Sequence, residues 1–494
     1  MTPAQLAQAA RDALNLLGDQ QSVHDNDPTR ARILRALESL DPGVAEGSAA
    51  ERRRRHYRIV VDCDIRHLPH AQVASNLGLS RRQFYRERKD ALVAYGSALQ
   101  TSKRAPVQVQ VDAKDVQLLY IQALHGRGQY EAVWRESARV LAHMNGHPRE
   151  IEVWRLAAEA ARLSGNEQYA RDAIDQMHHV ASRSAHEDLR RASQLHIAIS
   201  QTALDLMLGN LSAAKSAFDA TTAAWGDERT MYGRDAALFS ILLNDMAIVA
   251  MDTGDWRLAK QYLHRLATID ERSEVRHAVS SSRRLRGRIA LRREGDIGRA
   301  VVELRDALSI AESNRTLYPA AYAAVELGVA LTQHGDAAGA EYLEYGLKIA
   351  RGLCGDDEFA VLFASAVRVM LQRGAPEAPL RAFEEMRVRS RLFGRAERYA
   401  RLAEVELQLA SGDYRAALES SMGIADEGLR AHMLPLAANA QVLVAEAFAH
   451  CGRVTQAKKS LIGAVDLIAE HGWYCARERA YTLGTRLALQ LAVI

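Results

Sequence analysis

Apolar positions recur at helical spacing along most of the chain, and short polar breaks that contain glycine interrupt them at regular intervals. Nine such glycines follow one another at spacings of 37 to 45 residues, and Asp follows four of them and Asn two. Glycine accepts the left-handed conformation at a helix C-terminus, and Asp or Asn caps the next helix. Each break therefore predicts a tight turn between two helices. The nine are Gly128, Gly165, Gly209, Gly254, Gly295, Gly335, Gly374, Gly412 and Gly452.

Small and large apolar residues stand at fixed distances after these glycines. The fifth residue after the glycine is alanine in seven of the nine units, and a small residue there lets two helices approach closely. A large apolar residue at the ninth position falls on the same helical face and is expected to pack on the next hairpin. The alanines are Ala170, Ala214, Ala259, Ala300, Ala340, Ala417 and Ala457. The large residues include Ile174, Phe218, Leu263, Leu304 and Leu461.

These residues resemble the Gly-Asp/Asn-Tyr-x-x-Ala turn of the tetratricopeptide family, over about 380 residues from position 113 onward. The period of about 40 residues exceeds the family's usual length of about 34, and Pro376 and Pro379 break the pattern after Gly374. Longer units of this kind are similar to the sensor solenoids of bacterial transcription activators. An unrelated antiparallel helical bundle is the alternative.

The resemblance implies an all-α fold with a solenoid of about nine helical hairpins. Each hairpin is expected to touch only its neighbours and to leave a concave groove for a peptide, a protein or a small molecule. The last residues, 487–494, are too apolar for a helix that faces solvent. They are expected either to fold back into the groove or to form part of a dimer contact.

A second pattern lies near residue 70, where residues 70–86 predict a helix, a tight turn and another helix. Pro69 suits a first helical position. Val73 and Leu77 lie one turn apart on a buried face, and Ala74 is small where the second helix must cross.

The second helix of this pair has its own turn, cap and apolar stripe. Gly78 supplies the turn, and Ser80 can cap the helix that follows. Apolar residues then recur on one face of that helix, which predicts that this face is buried. They are Phe84, Leu92, Tyr95 and Leu99.

The run Ala-x-x-Leu-Gly-Leu-Ser-Arg-Arg at residues 74–82 resembles the helix-turn-helix of sigma-factor-like DNA-binding proteins. Glu87 departs from that family, which commonly has an apolar or basic residue there. The resemblance implies that the helix from Ser80 onward enters the major groove of DNA.

On this interpretation the first residues of the second helix touch base edges. Arg81 and Arg82 would pair with guanine and Gln83 with adenine, whereas Arg86 and Lys89 would contact phosphates. A run of four arginines at 52–55 could add backbone contacts. The expected DNA-binding residues are Ser80, Arg81, Arg82, Gln83, Tyr85, Arg86, Lys89, Arg53 and Arg54.

The distribution of charge agrees with this interpretation. The net charge is only +3, but residues 51–104 carry 13 Lys and Arg against five Asp and Glu. Residues 105–494 carry 47 basic against 49 acidic side chains. One short segment therefore holds the positive field that a polyanionic partner would meet. The alternative for a basic run at a helix start is a solvated face that binds nothing.

We therefore expect a helical DNA-binding domain at 1–100, with the helix-turn-helix at about 69–99, a linker at 101–112 and the solenoid at 113–494. Two helices near residues 3–17 and 29–40 and a second linker after residue 40 are expected inside the first domain. Because one such motif buries little surface, a homodimer that binds two half-sites is expected on double-stranded DNA.

Other function classes lack their sequence signatures. The chain has no nucleotide-binding Gly-x-x-x-x-Gly-Lys-Ser/Thr loop, no His-Glu-x-x-His and no Gly-x-Ser-x-Gly. Its four cysteines are far apart, and the adjacent His178 and His179 point to different sides of a helix. We expect no catalytic site, no cofactor and no metal. Without a signal peptide or an unbroken apolar span, we expect a cytoplasmic protein.

The leading hypothesis is a DNA-binding transcriptional regulator whose solenoid senses a signal or mediates oligomerisation. The alternative is a tetratricopeptide scaffold for protein assembly that does not bind DNA. The operator, the ligand and the sign of regulation stay open.

Overall fold

The computed structural model describes most of the chain, and every regular element in the residues it describes is helical. These residues are 5–8, 10, 36–37, 40, 48–65, 69–101, 113–184, 187–225, 233–272, 276–314, 316–353, 356–374, 377–389, 392 and 394–489. The chain forms two compact units. One comprises Met1–Ala123 with Ser313–Arg315, and the other comprises Leu124–Glu312 with Thr316–Ile494.

The first unit is built around three helices. They are α1 (Ser48–Val60, continued by a π-helical turn at Val61–Ile65), α2 (His70–Asn76) and α3 (Arg81–Thr101). The next helix, α4 (Ala113–Gly126), contains the boundary between the units. Most of the helices expected near 3–17 and 29–40, and most of the two linkers, lie outside the described residues, although 5–8, 10 and 36–37 are helical.

The apolar stripe of α3 forms the core of the first unit. Phe84, Leu92 and Tyr95 are at most 1% exposed, and α1 packs along this helix. Only glycine fits at position 96, because a Cβ there would overlap the backbone of Leu6. The predicted buried face of α3 is therefore confirmed.

The second unit consists of successive helices that pair as antiparallel hairpins. They are α5 (Tyr130–Leu141), α6 (Glu150–Leu163), α7 (Glu167–Arg183), α8 (Glu187–Leu208), α9 (Leu211–Trp225), α10 (Gly233–Thr253), α11 (Trp256–Arg272), α12 (Arg276–Ile289, continued by a π-helical turn at Ala290–Glu294), α13 (Ile297–Ser313), α14 (Leu317–Gln333), α15 (Gly339–Leu353), α16 (Asp356–Gln372), α17 (Glu377–Arg389), α18 (Gly394–Ser411), α19 (Tyr414–Arg430), α20 (Leu434–His450), α21 (Val454–Gly463), α22 (Val465–His471) and α23 (Tyr474–Arg486).

The predicted turn chemistry between the helices is confirmed. All nine repeat glycines have φ between 68° and 83°, the left-handed region that other residues rarely adopt. Four of the six Asp and Asn residues that follow the glycines cap the next helix as expected, namely Asn166, Asp255, Asp296 and Asp413, whereas Asp336 accepts from the Ala338 amide before α15 begins. Asn166 Oδ1 accepts from the Tyr169 amide at 3.1 Å. Asp255 Oδ1 accepts from the Leu258 amide at 2.9 Å.

The alanine at the fifth position is buried in six of its seven units, and Ala340 is the exception. Ala340 is exposed because α15 begins at Gly339, after an extra turn at residues 337 and 338. At this hairpin Gly328, Gly339 and Gly346 make the close approach, since a Cβ at any of them would overlap the facing helix. At this hairpin glycines, and not the alanine at the fifth position, allow the two helices to pack closely.

The array also contacts itself at a distance, so the expectation that each hairpin touches only its neighbours is wrong. Helix α8 contacts α18, α10 contacts α20, and the π-helical turn at Ala290–Glu294 contacts α23. Polar side chains also join α10 to α18: Arg395 Nε donates to Asp252 Oδ2 at 2.5 Å, and Tyr399 donates to Asp252 Oδ1 at 3.0 Å. The Asp252 side chain is 7% exposed and that of Arg395 is 11% exposed.

Candidate nucleic-acid interface and interior site

A four-residue turn joins α2 to α3 in the first unit. Gly78, with φ of +63°, lies in this turn, and the Leu79 amide donates to Ala74 O at 2.9 Å. Pro69 lies one position before α2, as its N-cap residue, and not at the first helical position as expected. The turn fixes the direction in which α3 begins.

Ser80 and Gln83 close the first turn of α3 with reciprocal hydrogen bonds. The Gln83 amide donates to Ser80 Oγ at 3.3 Å. In return, Gln83 Oε1 accepts from the Ser80 amide at 3.0 Å and from Ser80 Oγ at 2.7 Å. This is a capping box. It occupies the carbonyl oxygen of Gln83, so only the amide NH₂ of this side chain is left for a ligand.

Most basic residues of α3 point away from the core, whereas Arg88 is half-buried and pairs with Asp64. Ser80, Arg81, Arg82, Gln83, Tyr85, Arg86 and Lys89 are all exposed, while Phe84 between them is buried. Tyr85, at 47% exposed, packs edge-on against His70 with ring centroids 5.8 Å apart. The structure thus brings seven of the nine predicted residues to one helix.

The acidic side chains of α3 face α1 instead. Glu87 lies 3.3 Å from His56 Nε2, with both side chains mostly buried, and Asp90 accepts from Arg52 at 2.8 Å. Glu87, the residue that departs from the resemblance described above, therefore faces α1 and not solvent. Burial lowers the pKa of His56, and Glu87 opposes that shift. The carboxylates on this helix are therefore turned toward α1.

The arginine run at 52–55 lies elsewhere. Arg52 pairs with Asp90, which places the start of α1 beside the middle of α3 and not beside its first turn. Arg53 is exposed and Arg54 is half-buried. The structure does not bring Arg53 and Arg54 next to Arg81 and Arg82.

The interior of the second unit contains a charged cluster that the sequence did not reveal. Arg284, Arg288 and Arg292 lie four residues apart on one face of α12 and its π-helical continuation, and we call them the arginine row. Arg284 and Arg288 are only 4% and 6% exposed. Glu326, which is 1% exposed, pairs with Arg288 and lies 3.9 Å from Arg292.

The arginine row rests on aromatic rings from other repeats. The guanidinium carbon of Arg284 lies 5.0 Å from the ring centroid of Tyr322, and that of Arg292 lies 4.7 Å from Trp473. Nε and Nη1 of Arg284 are buried without a hydrogen-bond partner. Burial, followed by the charge of Arg288, lowers the pKa of Arg284. Buried cations that outnumber their carboxylates are costly.

Residues 469–479, which we call the C-terminal segment, cross this interior. Arg293 donates to Ala469 O at 3.0 Å, and Arg368 donates to Cys475 O at 2.8 Å. Trp473 stacks on Tyr399 with 6.2 Å between ring centroids and 8° between ring planes. Helix α23 thus folds back onto the array. Of residues 487–494, for which a fold-back or a dimer contact was expected, Leu487 is buried against α20 and α23, and 490–494 lie outside the described residues.

A cavity of about 800 Å³, which includes its open mouth, lies between the array and the C-terminal segment. Its polar lining comes from both. Arg292, Ser365, Arg368 and Glu406 belong to the array, and Arg479 belongs to the segment. Its apolar lining includes Leu291, Val329, Leu402, Val442, Leu443 and Trp473.

Two further features of the described residues bear on the expected function classes. Across the described ranges, no group of three His, Cys, Asp or Glu residues is arranged to hold a metal ion. Also within those ranges, one helical stretch, Ala236–Thr253 in α10, is long and apolar enough to cross a membrane, with a mean hydropathy of 1.5. Because 67% of that stretch is buried inside the protein, it has the character of a core helix.

The fold defines an all-helical protein whose larger unit is an array of hairpins of tetratricopeptide-like type. No protein-family model matches the chain, and no curated protein matches it either. Among solved structures, it is similar to a signal transduction ATPase with numerous domains (STAND) from Pyrococcus horikoshii, which has a tetratricopeptide repeat sensor. The identity is 12%, the match covers 99% of this chain and 75% of that one, and the TM-score is 0.34. So low a score assigns neither a family nor a function.

Proposed function

We propose that the protein is a DNA-binding transcriptional regulator in which α2 and α3 form a helix-turn-helix. The observation that carries this proposal is the separation of charge on α3. Arg81, Arg82, Arg86 and Lys89 are exposed at its N-terminal half, whereas its carboxylates are turned toward α1.

This arrangement suits the approach of a helix to the major groove. The helix leads with Arg81 and Arg82, whose guanidinium groups match the acceptor pair of guanine. Arg86 and Lys89, one and two turns further along, then lie at the height of the phosphates. Gln83 has a smaller role than its position suggested, because its carbonyl oxygen already accepts from Ser80.

The other parts of the proposal follow the domain plan of a helical DNA-binding domain at 1–100, a linker at 101–112 and a sensor at 113–494. The array binds a small molecule, a peptide or a protein in its interior and alters how the DNA-binding domains of a homodimer are held. The protein acts in the cytoplasm and is not an enzyme. The alternative of a scaffold without DNA affinity makes the opposite prediction in the following experiment.

The test is fluorescence anisotropy of labelled, mixed genomic duplex DNA with the full chain. We expect saturable binding that weakens as salt rises, because phosphate contacts release counterions. Replacing both Arg81 and Arg82 by Ala should weaken binding at least tenfold, since a lost base contact costs about 1–3 kcal/mol. Replacing Arg86 and Lys89 by Ala should weaken binding to all sequences alike and reduce the salt slope by about two.

The matched control removes two exposed arginines from the other unit, by Arg415→Ala with Arg430→Ala. These side chains are 90% and 70% exposed and pair only with carboxylates of their own helix. The control should bind DNA as the wild type does. Absence of duplex affinity at about 50 mM salt, where electrostatic binding is strong, would remove the regulator and leave the scaffold.

A further inference from the structure

The cavity beside the C-terminal segment has more cations than carboxylates around it. Arg292, Arg368 and Arg479 line it together with Glu326 and Glu406. Arg288 pairs with Glu326, and Glu446 pairs with Arg479, just behind this lining. Each carboxylate is already engaged: Glu326 by Arg288, and Glu406 and Glu446 by Arg479. One positive charge is therefore left over at the cavity.

The unbalanced positive charge belongs to Arg368 and Arg292. Arg368 donates to the carbonyl oxygen of Cys475, and no carboxylate of the described residues pairs with it. Arg292 Nη2 donates to the neutral Ser365 hydroxyl at 2.6 Å, and its nearest carboxylate is 3.9 Å away. Both side chains line the cavity. A guanidinium that donates to no carboxylate at hydrogen-bond distance is a ready donor to an oxyanion, especially where little water competes.

The remainder of the cavity is mostly apolar. Trp473 lines it from the C-terminal segment, and Val442 and Leu443 line it from α20. A cavity lined by apolar groups with a few polar ones is typical of sites for small molecules. The ligand that fits has an apolar body and a single charged end.

The lining also connects distant parts of the chain. Arg292 comes from the fifth repeat, Arg368 from the seventh, and Trp473 and Arg479 from the C-terminal segment. A molecule that fills this space contacts the array and the segment together. Its binding would change how firmly the segment is held.

We infer that this cavity binds a small molecule that carries one oxyanion, a carboxylate or a phosphate, on an apolar body. The oxyanion accepts from Arg368 and Arg292, and the body lies against Trp473 and Val442. This inference deepens the sensor role proposed above and rests on it only for its regulatory meaning. The binding itself requires no DNA.

The test uses 8-anilinonaphthalene-1-sulfonate, an aromatic body with one anionic group, and follows its fluorescence on titration with the full chain. We expect one saturable site per chain. Arg368→Gln should weaken binding at least tenfold, Arg368→Lys should restore part of it, and Arg415→Gln on the exposed face of α19 should leave it unchanged. The uncharged analogue N-phenyl-1-naphthylamine should bind at least tenfold more weakly than the sulfonate.

Displacement from the wild-type protein then separates the two oxyanions and does not depend on any variant folding. Benzoate and phenyl phosphate are compared, with benzamide as the uncharged control. Displacement by either anion but not by benzamide supports the inference and shows which oxyanion the site prefers. The inference is wrong if no saturable site exists, if a folded Arg368→Gln variant binds as tightly, or if the uncharged molecules bind as well as the anions. DNA affinity is measured separately, so the ligand-binding result can be interpreted even if the protein does not bind DNA.

Discussion

At the scale of single residues, two side chains decide how α3 begins. Ser80 and Gln83 satisfy amide groups that the first turn of a helix leaves without partners. This first turn also carries Arg81 and Arg82, whose side chains are exposed. A frayed first turn would let these arginines move independently, and their preorganised direction would be lost.

Ser80→Ala should therefore loosen the start of α3. Loss of an N-cap side chain costs about 1 kcal/mol, which corresponds to roughly fivefold faster hydrogen exchange at the amides of the first turn. Mass spectrometry of exchange in the full chain measures this. Ser75→Ala, on the exposed side of α2, is the matched control and should have little effect. Equal protection in the two variants would mean that the capping box does not hold this turn.

Features that depend only on nearby residues could be predicted from the sequence. The left-handed glycines, four of the six Asp and Asn caps and the buried stripe of α3 each depend on neighbours within a few positions, and each is confirmed. Ala340 was placed wrongly because an extra turn shifts the start of α15, and the spacing from Gly335 does not reveal that turn. The partner of Glu87 was missed because His56 comes from another helix.

At the scale of elements, charged side chains join helices that are far apart in the chain. Arg395 on α18 and Asp252 on α10 are separated by 143 positions and are both mostly buried. Burial costs each charge its hydration, and only the partner and Tyr399 offset that cost. The contact between these helices consequently depends on both ends of the pair.

Asp252→Asn should lower the free energy of unfolding by about 3–5 kcal/mol, because it leaves Arg395 buried without a counter-charge. Adding Arg395→Met should recover more than half of that loss, since neither buried charge then remains. Urea unfolding of the two variants and the wild type measures both effects. A loss below about 1 kcal/mol for the single variant would show that water reaches Arg395 and that the pair does not hold α10 to α18.

The sequence could not have indicated such pairs. Arginines at four-residue spacing, as in the arginine row, are the usual pattern of a solvated helix face, and their burial depends on Tyr322 and Glu326 from the next repeat. Helix boundaries are set locally, whereas the packing of a repeat against one far along the chain is not. The hairpins of the array were therefore predictable, and the interior site was not.

At the scale of the second unit, the C-terminal segment ties repeats that are otherwise far from the end of the array. His471 Nδ1 lies 3.3 Å from Gly254 O, and Tyr474 packs on Gly295 so closely that a Cβ there would overlap its ring. Trp473 lies between these two contacts and is anchored on Tyr399 and Arg292. The turns of the fourth and fifth repeats thus depend on a tryptophan about 180 to 220 positions later.

Trp473→Ala should increase hydrogen exchange at the turns around Gly254 and Gly295, although neither turn is near residue 473 in sequence. The variant loses a buried ring, which costs about 3–5 kcal/mol, and releases the segment on either side of it. Trp134→Ala, at a ring that is 40% exposed, is the control and should leave both turns protected. If the two variants give the same exchange at these turns, the segment does not tie them.

The return of the chain onto its own interior has a consequence for how this array comes apart. In an open stack the outermost repeat has a single neighbour, so melting starts at the ends and moves inward. Here the last helices contact repeats well inside the stack. Unfolding of these helices therefore also removes contacts from those inner repeats. We expect the unit to melt in one sharp calorimetric transition, with a larger enthalpy than independent repeats would give, and not to peel away from its C-terminal end.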